Sequence, residues 1–384
     1  MAHRQTGSAA LTPSMHISLI EPFFTGSHAA WAKGYQRHSR HRIDILSLGG
    51  HHWKWRMHGG AVTLARRFLN SGVRPDLLLA TDMLDLTTFL ALTRHRTARI
   101  PVALYFHENQ IGYPWSPRDR DIAQRRDHHY GFINFSSALA ADVVLFNSHY
   151  HQDSFLEALP PFFKRFPDHR EPEAVSAIAA KSRVLPLGID LGRLETPAAP
   201  KRSGPPLILW NHRWEHDKNP QAFFDALGRL QQLGLDFQVA ILGRGQQTQN
   251  VVFETARARL AHRIVHCGYV DNGAQYADWL HRADLLPVTS RQDFFGISLV
   301  EALYCGCYPL LPKRLTYPEL VPFEKYPEVF YEDDHALVEK LTSAVKDIDT
   351  IRRRGFRHCV EGYDWRTMAP LYDALLEAAG RCES

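Results

Sequence analysis

Eleven short apolar runs, separated by stretches with helical periodicity, constrain this chain more than any other feature. In the first half they fall at residues 16–20, 43–48, 77–80, 102–106, 143–146 and 184–187; in the second they fall at 207–210, 237–242, 264–267, 284–288 and 308–311. Short continuous apolar runs suit strands buried on both faces. Their alternation with helices predicts parallel sheets covered on either side. Two such sets predict an α/β chain of two Rossmann-like domains, one over 15–194 and one over 207–362. The proline-rich, basic stretch at 195–206 reads as the linker between them. Residues 1–14 read as an extension outside the first domain. A last helical pattern within 363–384 is expected to return to the first domain.

The chain has 384 residues and a formal net charge of only +4. That is enough length for two domains of ordinary size, and any polyanion contact has to rely on local patches. Cys305 and Cys307 are the one close cysteine pair and lack a partner set for zinc, so they read as reduced core thiols. This fits a reducing, cytoplasmic setting. No apolar run approaches the roughly 20 residues of a membrane span. The first fourteen residues lack the apolar segment of a secretory signal. Oligomeric state is not legible here.

Chemistry concentrates where strands are expected to end. After the 207–210 run comes Asn211-His212-Arg213-Trp214-Glu215-His216-Asp217-Lys218, with a helical run beyond. Strand-to-helix turns in α/β sheets are where phosphates dock. Arg213 offers a planar fork to phosphate oxygens, and Lys218 a point charge. Further on, Asp293 precedes Glu301 by eight positions, with Phe295 and Gly296 between them. Gly296 allows a tight turn into a helix whose N–H groups face an anion, and Glu301 suits a ribose diol.

The first half carries its own set. Gly26 permits close backbone approach to a ligand, Ser27 is a good N-cap, and His28 follows. His107, Glu108 and Asn109 form a polar triplet directly after the 102–106 run. His51-His52-Trp53-Lys54-Trp55-Arg56 interleaves aromatics, which can stack unpaired bases, with cations that can meet phosphates. The irregular stretches 110–129 and 162–181 are candidates for acceptor contact. Asp119-Arg120-Asp121 is the one Asp-x-Asp and lies in an arginine-rich loop, so no metal site is expected.

The Asp293 to Glu301 run resembles the acid-x7-acid signature of retaining nucleotide-sugar transferases with the two-domain GT-B architecture. It departs in carrying Asp293 where the pattern usually has Glu. His212–Lys218, Tyr105-Phe106-His107-Glu108-Asn109-Gln110, Phe146-Asn147-Ser148, Pro167-Asp168-His169-Arg170 and the 301–310 string resemble the tRNA-queuosine mannosyltransferase family over most of the chain. That resemblance implies transfer of mannose from GDP-mannose to queuosine in a tRNA anticodon, without a metal or other cofactor. On this reading His107, Arg213, Lys218 and Asp293 are catalytic. Gly26, Ser27, Arg213, Lys218, Phe295, Gly296 and Glu301 hold the donor. His28, Glu108, Asn109, Trp53, Lys54, Trp55 and Arg56 meet the acceptor. Two competing readings are a glycosyltransferase with a lipid or glycan acceptor and a non-catalytic RNA-binding module on a transferase scaffold.

Overall fold

A computed structural model describes residues 14–114, 129–195, 203–245 and 250–381. The first sheet contains β1 (His16–Phe24), β2 (Arg42–Gly49), β3 (Leu77–Thr81), β4 (Val102–Phe106), β5 (Val143–Phe146) and β6 (Ser182–Val184), in the order β2-β1-β3-β4-β5-β6. The second contains β7 (Leu207–Trp210), β8 (Gln238–Leu242), β9 (Ile264–Gly268), β10 (Leu285–Pro287), β11 (Tyr308–Pro312) and β12 (Phe330–Tyr331), in the order β12-β11-β10-β7-β8-β9. The strand pairs are parallel. Leu77 and Leu79 pack into one apolar cluster while Leu78 and Ala80 pack into another, so both faces of the first sheet are covered.

In each sheet the chain steps outward on one side of its first strand and then returns to the other side. These reversals fall between β1 and β3 and between β7 and β10. Loops diverge at such points, leaving a crevice beyond the strand ends. The loops after β4 and β5 meet those after β7 and β10. The domains touch there: Tyr113 OH donates to Asp217 Oδ2 at 3.3 Å, and Ser148 Oγ donates to the Phe294 carbonyl at 2.6 Å. The Glu319 carboxylate accepts from the His149 and Tyr150 N–H groups, at 2.9 and 2.6 Å, at the start of helix His149–Phe163. An anion is favoured at that helix end.

Helix Trp365–Arg381 lies against the first domain. Tyr35 OH and Ser39 Oγ donate to Asp373 at 2.9 and 2.6 Å, and Trp31 Nε1 donates to Tyr372 OH at 3.0 Å. One apolar cluster runs from the second sheet through Trp365 and Tyr372 into the first.

Several sequence expectations shift. The first strand runs on past the 16–20 run to Phe24, through an irregularity between Glu21 and Phe24, so Glu21 belongs to the strand. The two-residue β12 has no periodicity of its own and is held by pairing with β11. Asp119 to Asp121 and most of the 110–129 stretch lie outside the described residues. The 162–181 stretch is not wholly irregular, because Glu173–Lys181 is a helix.

Candidate active site

On the first domain, Gly26 adopts a left-handed φ of 51°, which starts helix Gly26–His38 directly at the end of β1. Thr25 is consequently the N-cap, without a side-chain cap bond, and the expected cap Ser27 lies inside the helix. Thr25, Gly26 and Ser27 are exposed, whereas His28 is buried. The next loop packs directly on this turn: a Cβ on Gly50 would fall 2.1 Å from the Thr25 methyl. That loop leads into helix Trp53–Ser71, with His52 in a left-handed conformation at φ 54°.

Lys54 Nζ lies 5.5 Å from the Trp53 ring and 5.9 Å from Tyr130, and Arg56 Nε donates to the Gly49 carbonyl at 2.9 Å. Trp55 is 64% exposed, a bare aromatic face at the helix start.

His107 leaves β4 with its N–H donating to Asp82 Oδ1 at 2.8 Å and its carbonyl accepting from Asn147 Nδ2 at 2.9 Å. Its ring centroid lies 4.2 Å from that of His28, and Trp31 meets it edge-on at 4.6 Å. His107 Nε2 is buried without a hydrogen-bond partner. Burial holds its pKa well below the usual range, with the charges of His28 and His151 adding to this, so the ring is neutral. Burial likewise pushes the Asp82 carboxyl up. For His28 burial is again the largest influence and lowers the pKa. The charge and hydrogen bond of Glu21 outweigh it, with Asp82 and Glu108 adding, and hold His28 up to about 9.

Asn109 is fully buried, and its Oδ1 accepts from the N–H groups of Ile111 and Gly112 at 3.2 and 2.7 Å. It shapes the loop from inside, which revises its expected acceptor contact. Glu108 is half-buried and accepts from Gln110 Nε2 at 3.0 Å.

Across the cleft, Lys218 is buried. Its Nζ meets Asp217 Oδ2 at 3.3 Å, Asp293 Oδ1 at 3.2 Å and the Gln292 carbonyl at 2.8 Å. Those three contacts occupy the three donors of the ammonium. Burial opposes its charge, yet Asp293 and Asp217 raise its pKa further. Asp293 also accepts from Tyr317 OH at 2.8 Å. Arg213 differs: its side chain is 65% exposed and pairs with Glu215 at 3.2 Å. The two cations expected to serve phosphate together thus sit in unlike environments.

Gly296 has φ 90° and caps helix Ile297–Tyr304, as the sequence predicts. Glu301 within that helix is buried, pairs with Arg193 and accepts from Tyr276 OH at 2.8 Å. Phe295 is buried and meets Tyr363 edge-on.

Glu21, Asp82, Tyr113, Arg193, Asp217 and Tyr276 were not singled out as site residues. Asp217 lies within the flagged 212–218 string, Tyr113 within the flagged 110–129 stretch, and Glu21 just before the Gly26 turn; Asp82, Arg193 and Tyr276 reach the site through long-range pairing. Glu21, His28 and His107 bring ligand-capable atoms within 4.8 Å of one another, but the link between Glu21 and His28 is already a 2.9 Å hydrogen bond. A cavity of about 650 Å³ also lies between the domains, near Ser148, Phe295, Thr316 and Glu319. Neither His107, Arg213 nor Lys218 lines it, so the polar cleft is the better candidate.

Two six-stranded parallel sheets whose loops meet between the domains make up the two-domain architecture of the GT-B class. Solved structures agree on the fold. Sucrose-phosphate synthase from Thermosynechococcus elongatus superposes with a TM-score of 0.68 at 14% identity, covering 95% of this chain and 100% of that one. HepE from Anabaena in complex with UDP-glucose gives 0.66 at 16%, with the same coverage. Residues 194–355 match the family model for glycosyl transferases group 1, and residues 16–189 match that for the tRNA-queuosine alpha-mannosyltransferase N-terminal domain. A Drosophila melanogaster protein described as tRNA-queuosine alpha-mannosyltransferase is 34% identical over 335 residues, 85% of this chain and 86% of that protein. The chain belongs to the tRNA-queuosine alpha-mannosyltransferase family.

Proposed function

We propose that the protein transfers mannose from GDP-mannose to a hydroxyl of the queuosine cyclopentene-diol in the anticodon of an aspartate tRNA, with retention at the anomeric carbon. The observation that carries this reading is the match to the Drosophila relative along most of both chains. The cleft supplies compatible chemistry. Glu301 exchanges Arg193 and Tyr276 for the ribose hydroxyls. The exposed Gly26–Ser27 backbone and Arg213 meet the diphosphate, while Phe295 and Gly296 shape the wall beside the sugar. His107 presents its unpartnered Nε2 to a sugar hydroxyl. Lys218 and the partly buried Asp293 hold that wall as an ion pair. On the acceptor side, Trp53 and Trp55 stack bases of the anticodon loop, Lys54 and Arg56 meet its phosphates, and Glu108 faces the modified base.

No metal takes part in this scheme, because protein cations and helix ends carry the diphosphate charge. Among the described residues no helix is long and apolar enough to cross a membrane. A tRNA acceptor and reduced cysteines suit a cytoplasmic reaction.

The test is incubation with total tRNA and a panel of nucleotide sugars in excess chelator, followed by mass analysis of the released nucleosides. One hexose gained on queuosine from GDP-mannose alone is expected. Labelling of a lipid or glycan instead, no transfer at all, or activity restored only by magnesium or manganese would replace this account.

A further inference from the structure

Glu21 is the most enclosed charged side chain at the cleft, at 0% exposure. Its Oε1 accepts from the Phe23 N–H at 2.7 Å, and its Oε2 lies 2.9 Å from His28 Nδ1. A carboxylate this far from water is costly unless paired and hydrogen-bonded. His28 is its partner, and the His28 side chain keeps 11% of its surface open. The chain reaches His28 two residues past the exposed Gly26 turn, so the pair is anchored at the edge of the diphosphate position. Four groups on three strand ends surround the imidazole: Glu21 on β1, Asp82 after β3, and His107 with Glu108 after β4. Burial pushes the Asp82 carboxyl up, and His107 is neutral, so Glu21 dominates this environment.

We propose that Glu21 is a positioning residue for sugar transfer: by accepting the Nδ1–H of His28 it fixes that ring as an imidazolium whose Nε2–H donates to an anionic oxygen of the donor diphosphate. This moves His28 from the acceptor to the leaving group. Negative charge grows there as the glycosidic bond to phosphate breaks, and a preorganised donor acts most strongly where charge develops. The neighbouring His107 stays neutral chiefly through burial, and the His28 cation 4.2 Å away adds to this. The inference rests on reading the cleft as the transfer site.

The sign follows from a raised pKa. His28 is protonated below about 9, so wild-type turnover holds through neutral pH and falls only as pH rises through that value. Glu21→Gln keeps the shape and removes the charge. In full-length protein labelled with ¹⁵N-histidine, and with no ligand added, E21Q should move the His28 titration down by at least about one pH unit. Its kcat at neutral pH should drop roughly tenfold to a hundredfold, with an alkaline limb shifted to match, while Glu21→Asp restores part of both. Should E21Q not fold, His28→Gln supplies the test, with a comparable loss of kcat and no limb near pH 9. An unchanged His28 titration in E21Q overturns the proposal. So does an E21Q profile that keeps the wild-type shape with only a lower melting temperature, wild-type kcat in H28Q, or a stoichiometric metal lost on substitution of Glu21. The NMR titration needs neither sugar nor tRNA, so it stands apart from the fate of the assigned reaction.

Discussion

At the residue scale, the donor side sets charge against burial. Two cations, Arg213 and Lys218, face three carboxylates: Asp217, Asp293 and Glu215. A diphosphate docks only if one cation becomes available. The exposed Arg213–Glu215 pair costs about 0–1 kcal/mol to break. Lys218 is held on all sides and cannot leave without exposing the buried Asp217 and the partly buried Asp293 to each other. Arg213→Ala is therefore expected to lower kcat by about a hundredfold with an unchanged melting temperature. Lys218→Ala should lose activity and also about 3–5 kcal/mol of stability, read from denaturant unfolding. Equal stability of the two variants would contradict this division. Residue types alone mark the 212–218 string as a candidate phosphate loop. Which cation is free was not legible, because the partner that decides it, Asp293, arrives from a different strand end.

At the element scale, the terminal helix ties the domains together. The Trp365 indole fills a slot that exists only because two residues lack side chains. A Cβ on Gly34 would lie 1.9 Å from the indole Nε1, and one on Gly188 2.3 Å from its six-membered ring. The crossing segments hold each other beside it: Trp365 N–H donates to the Ile189 carbonyl at 3.0 Å, and Ile189 N–H donates to that of Tyr363 at 2.8 Å. Trp365→Ala should cost about 3–5 kcal/mol through the cavity it leaves. Since one apolar cluster spans both sheets, the loss should appear as a single unfolding transition at lower temperature. Two separate transitions in calorimetry would show that the helix does not couple the domains. Helical periodicity locates this element in the sequence, but no local signal marks Gly34 and Gly188 as its slot. Strand β12 escaped notice for a similar reason, as two residues carry no period.

At the scale of the whole molecule, loops from both domains meet beyond their strand ends and make one cleft from two domains. Apolar runs reveal that the strands exist and are parallel. Their order is set by which helices cover which face, a long-range matter that the apolar runs do not record. The same limit explains the site: Arg213, Lys218, His107 and Glu301 stand out in local strings, whereas Tyr113 and Tyr276 matter through contacts across the fold. The central claim is that this cleft mannosylates queuosine in tRNA. Two preparations of one aspartate tRNA, identical except for queuosine or guanosine at the modified anticodon position, test it most directly. Initial rates of labelled mannose transfer from GDP-mannose are compared at fixed salt, because phosphate contacts contribute equally to both. Efficient labelling of the queuosine form alone is the predicted result; equal labelling of both, or of neither, would contradict it.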